Sequence, residues 1–97
     1  MALDTGCAEF DTLFRFAKLR CGESIFRTAN GDVLSPGGGA YYAAVWCNDE
    51  VEYAGPWEAY TGDPIQLDAG YNAYAWYYPF MADYDRPIPS SIVAEGT

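Results

Sequence analysis

The chain contains no histidine, and that absence removes more chemistry than any other feature of its composition. Without an imidazole there is no neutral-pH nitrogen base, and Ser-His or Cys-His triads cannot be built within the chain. Basic residues are scarce, five Lys and Arg against fourteen Asp and Glu, for a formal net charge of -9. None lies between Arg27 and Arg86, an interval that holds nine Asp and Glu. A phosphate backbone needs the opposite sign, so nucleic-acid binding is disfavoured. Anionic membranes are disfavoured for the same reason. Neutral polyhydroxylated ligands, cations or a basic partner protein stay open, as does plain solubility.

Cysteine is also sparse. Cys7, Cys21 and Cys47 cannot form a disulfide framework, because one is always left over. Their spacing matches no compact zinc pattern, so isolated buried thiols are expected, with one disulfide open to an exported protein. No cofactor is called for, and clustered acids without EF-hand spacing do not specify calcium. No apolar run reaches the ~20 residues that cross a bilayer. The opening MALDTG lacks the basic start and apolar centre of a signal peptide, which leaves the compartment undecided.

Aromatic residues, by contrast, are abundant for 97 residues: nine Tyr, three Trp and five Phe. Tyr and Trp carry polar atoms that seek partners when buried, so this surplus suits an interface or ligand groove as readily as a core. The length allows a single domain, or part of one, across 1–97 with a modest core.

Periodicity predicts a helix over 5–19. Phe10, Leu13, Phe14, Ala17 and Cys21 share one face, Asp4 or Thr5 serves as cap, and Gly22 is the stop. Residues 24–33 read as two short strands around Ala29-Asn30-Gly31-Asp32, where Asn-Gly signals a turn. The Gly37–Gly39 run lacks the Lys and Ser or Thr of a phosphate loop and reads as a tightly curved connection. Helix resumes at Asn48, Gly55-Pro56 interrupts it, and Pro56 opens a second helix through Tyr60. Asp68 is the expected cap of a last helix over 69–77, with Tyr71, Tyr74, Ala75 and Tyr78 in a stripe. Arg86-Pro87-Ile88-Pro89 is extended, with Ile92 and Val93 expected beneath it. The fold class predicted is mainly α: a helical-hairpin segment with one small β-hairpin and long loops.

The stretch Tyr41–Tyr60, YYAAVWCNDEVEYAGPWEAY, gathers aromatics and carboxylates with no basic residue. Asp49 and Glu50 follow Trp46, and Glu52, Tyr53, Trp57 and Glu58 come within one or two turns. Carboxylates in a first helical turn are favourable on dipole grounds alone, which is a structural reason for Asp49, Glu50 and Glu52. With no imidazole, the remaining acid–base machinery is carboxylate. Glycosidic bond cleavage uses two carboxyls, one to protonate the leaving oxygen and one to activate water or attack the sugar. Aromatic faces stack on sugar rings. Adjacent Asp49 and Glu50 point roughly 100° apart on a helix, so a working pair needs a distant partner such as Glu95.

YYAAVWCNDEVEYAGP, followed by Gly62-Asp63, resembles a segment of glycoside hydrolases built as a six-hairpin, (α/α)6 toroid of paired helices. In several such families a loop opening a helix carries an aromatic residue and then an Arg-Asp or Asp-Glu pair that touches the sugar at the -1 position. Trp46, Asp49 and Glu50 match that pattern, with Asn48 where Arg often stands. ALDTGCAEFDTLFRFAKLR and IPSSIVAEG also resemble parts of bacterial members. The resemblance implies a carbohydrate partner, with Asp49 as a substrate-binding or general-acid carboxylate and Glu95 as the second catalytic candidate. It implies Trp46, Glu50, Tyr53 and Trp57 as sugar-binding residues, and a bacterial cytoplasm or periplasm. Toroids need twelve helices, so the chain would be a segment that requires the remainder of a larger chain. The alternatives are a non-catalytic glycan- or protein-binding module and a small acidic self-associating protein.

Overall fold

A computed structural model describes residues 1–36, 44–82 and 84–93. The architecture is mainly α, with two separate two-stranded antiparallel sheets. Helix α1 spans Ala8–Glu23, β1 Ile25–Thr28, β2 Gly31–Leu34 and β3 Ala44–Trp46. A π-helical segment, Asp49–Ala54, runs into α2, Gly55–Thr61. Helix α3 is Pro64–Tyr77, a short 3-10 turn covers Tyr78–Phe80, and β4 is Ser91–Val93.

Helix α1 begins later and ends later than its periodicity predicts. Asp4 and Thr5 form the turn before it and do not cap it. The Thr5 amide and hydroxyl donate to Asp11 Oδ1 at 3.0 and 2.9 Å, and Cys7 occupies the cap position without a side-chain hydrogen bond. Gly22 does not stop the helix, which closes at Ser24 through hydrogen bonds from the Ser24 amide to the Cys21 and Gly22 carbonyls.

The hairpin pairs Ile25 with Leu34, Phe26 with Val33, Arg27 with Asp32 and Thr28 with Gly31. Ala29-Asn30 therefore make the turn, and Gly31 opens β2 at φ +112°, a conformation that disfavours any side chain. Absence of a side chain there also lets α3 approach, because a Cβ would lie 2.6 Å from Asn72 Nδ2. Asn72 Nδ2 donates to the Asp32 carbonyl at 2.9 Å, which fastens the helix to the hairpin.

Two of the expected helix boundaries need correction. Asp68 does not cap the last helix. Asp63 does, accepting from the Ile65 and Gln66 amides at 2.8 and 3.4 Å, with Pro64 in the first turn where its missing N–H costs nothing. Gly62, at φ +70°, turns the chain out of α2 just before it. Nor does Gly55-Pro56 interrupt the preceding helix. Ala54 and Gly55 keep right-handed helical angles, and the Gly55 amide reaches back to the Glu50 carbonyl. That wider π register carries the backbone past a proline that cannot donate.

The second sheet has no counterpart in the sequence reading. It pairs Ala44 with Val93, Val45 with Ile92 and Trp46 with Ser91. Its inner residues join Val33, Ala73 and Tyr77 in a small core. The Tyr77 hydroxyl donates to the Val45 carbonyl at 2.8 Å, tying α3 to the sheet. Ile92 is buried as expected, but Val93 is exposed.

Helix α1 contributes no buried residue, and Phe10, Leu13, Phe16 and Leu19 are each more than half exposed. It meets the body through Phe14, whose ring stands edge-on to Trp57 with centroids 5.5 Å apart. The molecule measures 51 × 27 × 21 Å, with a radius of gyration of 14.7 Å. A compact chain of this length would have about 12.5 Å.

Candidate functional site

The π-helical segment and α2 form one continuous rod from Asp49 to Thr61. Spacings of four residues stack side chains on one face of such a rod. Asp49, Tyr53 and Trp57 make the outer stripe. With Ala54 on the same wall, they line a groove of about 310 Å³, closed opposite by Ala17 and Cys21 of α1 and by Pro36. Asp49 and Trp57 are half-buried and Tyr53 is exposed, so a carboxylate and two aromatic faces open together toward solvent.

One residue further round the rod lie Glu50 and Glu58, which turn inward. Glu50 and Glu58 are each 1% exposed and are the largest fully buried side chains. Among the described residues none of their four carboxylate oxygens has a hydrogen-bond partner. Glycine makes room for one of them: a Cβ on Gly70 of α3 would lie 2.8 Å from Glu58 Oε2.

Burial without donors disfavours the charged form of both acids. The Glu50 carboxyl is pushed up to about 8, first by desolvation, then by the charges of Glu58 and Asp49. Desolvation alone pushes Glu58 to about 7. Cys21 rises to about 11, chiefly by burial and then by the Glu58 charge, so its thiol is a poor nucleophile near neutrality. The Trp57 indole N–H lies close enough to oppose that rise, yet makes no hydrogen bond of ordinary geometry. Tyr77 is pushed up to about 12, by burial first and then by Cys47 and Glu50.

The structure thus brings together three of the sequence-derived residues, Asp49, Tyr53 and Trp57. Glu50 sits behind that wall, inside the molecule. Trp46 is half-buried at the end of β3 opposite Ser91 and does not line the groove. Glu95, the Gly37–Gly39 run and Tyr41 and Tyr42 lie outside the described residues. Sequence reasoning names Glu58 in the acidic stretch but gives it no role, although its eight-residue offset from Glu50, with small Ala54 midway, places the two on one face. A larger hollow of about 540 Å³ lies between α1 and the start of α3, lined by Arg15, Lys18, Thr61 and Gln66 among others. It holds no aromatic side chain, so the smaller groove is the better candidate for a stacked ligand.

The three cysteines are free thiols, and each is half-buried. Among the described residues, no cluster of three or more His, Cys, Asp or Glu is arranged to hold a metal ion, and no helix is long and apolar enough to cross a membrane. No family model, curated protein or solved structure matches the chain.

Proposed function

We propose that the chain is a segment of a carbohydrate-active glycoside hydrolase of the six-hairpin (α/α)6 class, in which the wall Asp49–Trp57 faces the sugar. The observation that carries this reading is the outer stripe of the rod, where one carboxylate and two aromatic faces share a solvent-open groove. Tyr53 and Trp57 would stack on the apolar faces of sugar rings, with Asp49 accepting from ring hydroxyls or delivering a proton to the leaving oxygen. Glu95 is the second carboxylate in this scheme. The uncovered apolar faces support the same reading. Phe10, Leu13, Phe16 and Leu19 on α1, and Tyr71 and Tyr78 at α3, are the kind of surface that neighbouring helices cover.

The test is sugar release from aryl glycosides and neutral oligosaccharides by the native gene product and its Asp49→Asn and Glu95→Gln forms. Loss of a general acid or base is expected to lower the rate by about 10²–10⁴-fold. Wild-type rates in both variants would remove the role assignments.

One observation favours a second reading, a non-catalytic glycan-binding module: among the described groove residues, Asp49 is the sole carboxylate. On that reading the 97-residue chain binds neutral oligosaccharide by itself. Calorimetry would then show saturable heat that disappears in Trp57→Ala and persists in Asp49→Asn.

A further inference from the structure

Glu50 and Glu58 are unusual as structure, whatever the groove outside them binds. Their oxygens can only accept hydrogen bonds when ionised, and among the described residues no donor is hydrogen-bonded to them. The groups acting on them are acidic or neutral. The π-helical segment supplies Asp49, and α2 supplies Glu58 against Glu50. Cys21 of α1 feels both carboxyls, and Tyr77 of α3 feels Glu50. Tyr74 of α3 spends its hydroxyl on the Glu50 backbone carbonyl, at 3.4 Å. No Lys or Arg is among the groups that act on either carboxyl.

The rod that carries them lies outside the core cluster, joined to β3 at one end and to α3 at the other. The core cluster of Val33, Val45, Ala73, Tyr77 and Ile92 includes no residue of the π-helical segment or α2. Gly62, in the left-handed conformation, sits at the junction of α2 and α3, with nothing within 4 Å of where a Cβ would lie. The rod is held against α3 through the seats at Gly70 and Gly55, which receive the Glu58 carboxyl and the Tyr74 hydroxyl.

We propose that Glu50 and Glu58 are a proton-held latch: protonated, they stay packed and hold the rod against α3. Ionised, they pull away from α3, the rod pivoting at both of its ends, Asn48 after β3 and Gly62 before α3, and enter solvent beside Asp49 and Trp57, while the Val33–Val45–Tyr77 core stays shut. The proposal does not rest on the hydrolase reading. In the open state both acids regain the ordinary value of 4.5, whereas closed they hold their protons to about 7 and about 8. The closed form is therefore fully favoured below pH 4.5, weakens as pH rises from there, and gains no further penalty above about 8. Over that window the opening equilibrium rises about tenfold per pH unit for each acid that has lost its proton only in the open form.

Amide hydrogen exchange between pH 5 and 9, corrected for the intrinsic rate, reads the latch directly. Protection over 50–61 is expected to collapse as pH rises, while amides of β3, β4 and the C-terminal half of α3 keep theirs. The Glu50→Gln/Glu58→Gln double variant is expected to stay protected across the range. Carboxyl ¹³C titration of the wild-type chain is the companion measurement and needs no variant; both midpoints are expected well above 4.5. The latch is overturned by ordinary carboxyl midpoints, by pH-independent protection of 50–61, or by simultaneous loss of protection in the core strands. An equal collapse in the double variant would overturn it too.

Discussion

Replacing Gly55 by alanine is expected to reverse the usual sign of a helical Gly→Ala change. In an unhindered helix the substitution gains about 1 kcal/mol, from propensity and from the entropy of the unfolded chain. Gly55 has right-handed helical angles, so backbone conformation raises no objection. The objection is space. A Cβ there would lie 2.2 Å from the Glu50 carbonyl oxygen and 2.8 Å from the Tyr74 hydroxyl. The first neighbour is main chain and cannot rotate aside, so the π-helical segment must move by about an ångström. That movement strains the Gly55 amide bond to the Glu50 carbonyl and displaces the Tyr74 hydroxyl from the same acceptor. Two hydrogen bonds at about 1 kcal/mol each and overpacking of about 1–3 kcal/mol outweigh the propensity gain. The net expectation is a loss of about 2–4 kcal/mol, or a fall in Tm on the order of 10–30 °C for a chain of this size. Gly22→Ala is the control. It lies in α1 with nothing within 4 Å of its would-be Cβ and is expected to gain up to about 1 kcal/mol. Urea unfolding followed by far-UV circular dichroism compares the two at pH 5, where the buried acids keep their protons. Gly55→Ala matching or exceeding the wild type there would refute the packing argument.

Two further substitutions probe the joints around the site. Tyr77→Phe removes the hydroxyl that donates to the buried Val45 carbonyl, leaving that acceptor short of a partner, and is expected to cost about 1–3 kcal/mol in the same urea assay. Asp63→Ala removes the cap of α3 and is expected to cost about 1 kcal/mol, with Asp63→Asn retaining most of it, since an amide oxygen can accept from the same Ile65 and Gln66 amides.

Elements whose determinants are local were legible in the chain. The 3-and-4 spacing of Phe10, Leu13, Phe14 and Ala17 locates α1, and Asn30-Gly31 locates the hairpin to within a residue of its turn. Boundaries failed where two signals competed. Asp68 is a capping residue type just ahead of the Tyr71–Tyr78 stripe, yet Asp63-Pro64 is the stronger start, and Gly70 is there to seat Glu58. The second sheet was invisible because three-residue strands at 44–46 and 91–93 carry no periodicity of their own; only the tertiary fold pairs them. At the site, the aromatic and acidic stretch was visible, and so was the divergence of Asp49 from Glu50. Which of the two faces inward was not, since that depends on the π register at Gly55 and on where α3 lies. A sequence that places a carboxylate at 50 for helix-dipole reasons says nothing of the seat that awaits it.

The pairing of β3 with β4 has a consequence for how the chain reaches this structure. Every residue of the rod and of α3 lies between those two strands, so the sheet can close only after a long loop has been gathered. Loop-closure entropy delays such contacts relative to the helices and the β1–β2 hairpin, whose partners are near in sequence. Yet this late sheet supplies Val45, fully buried, and Ile92, two of the five residues of the core. The contacts of Val45 and Ile92 are therefore expected to form after the helices and the β1–β2 hairpin.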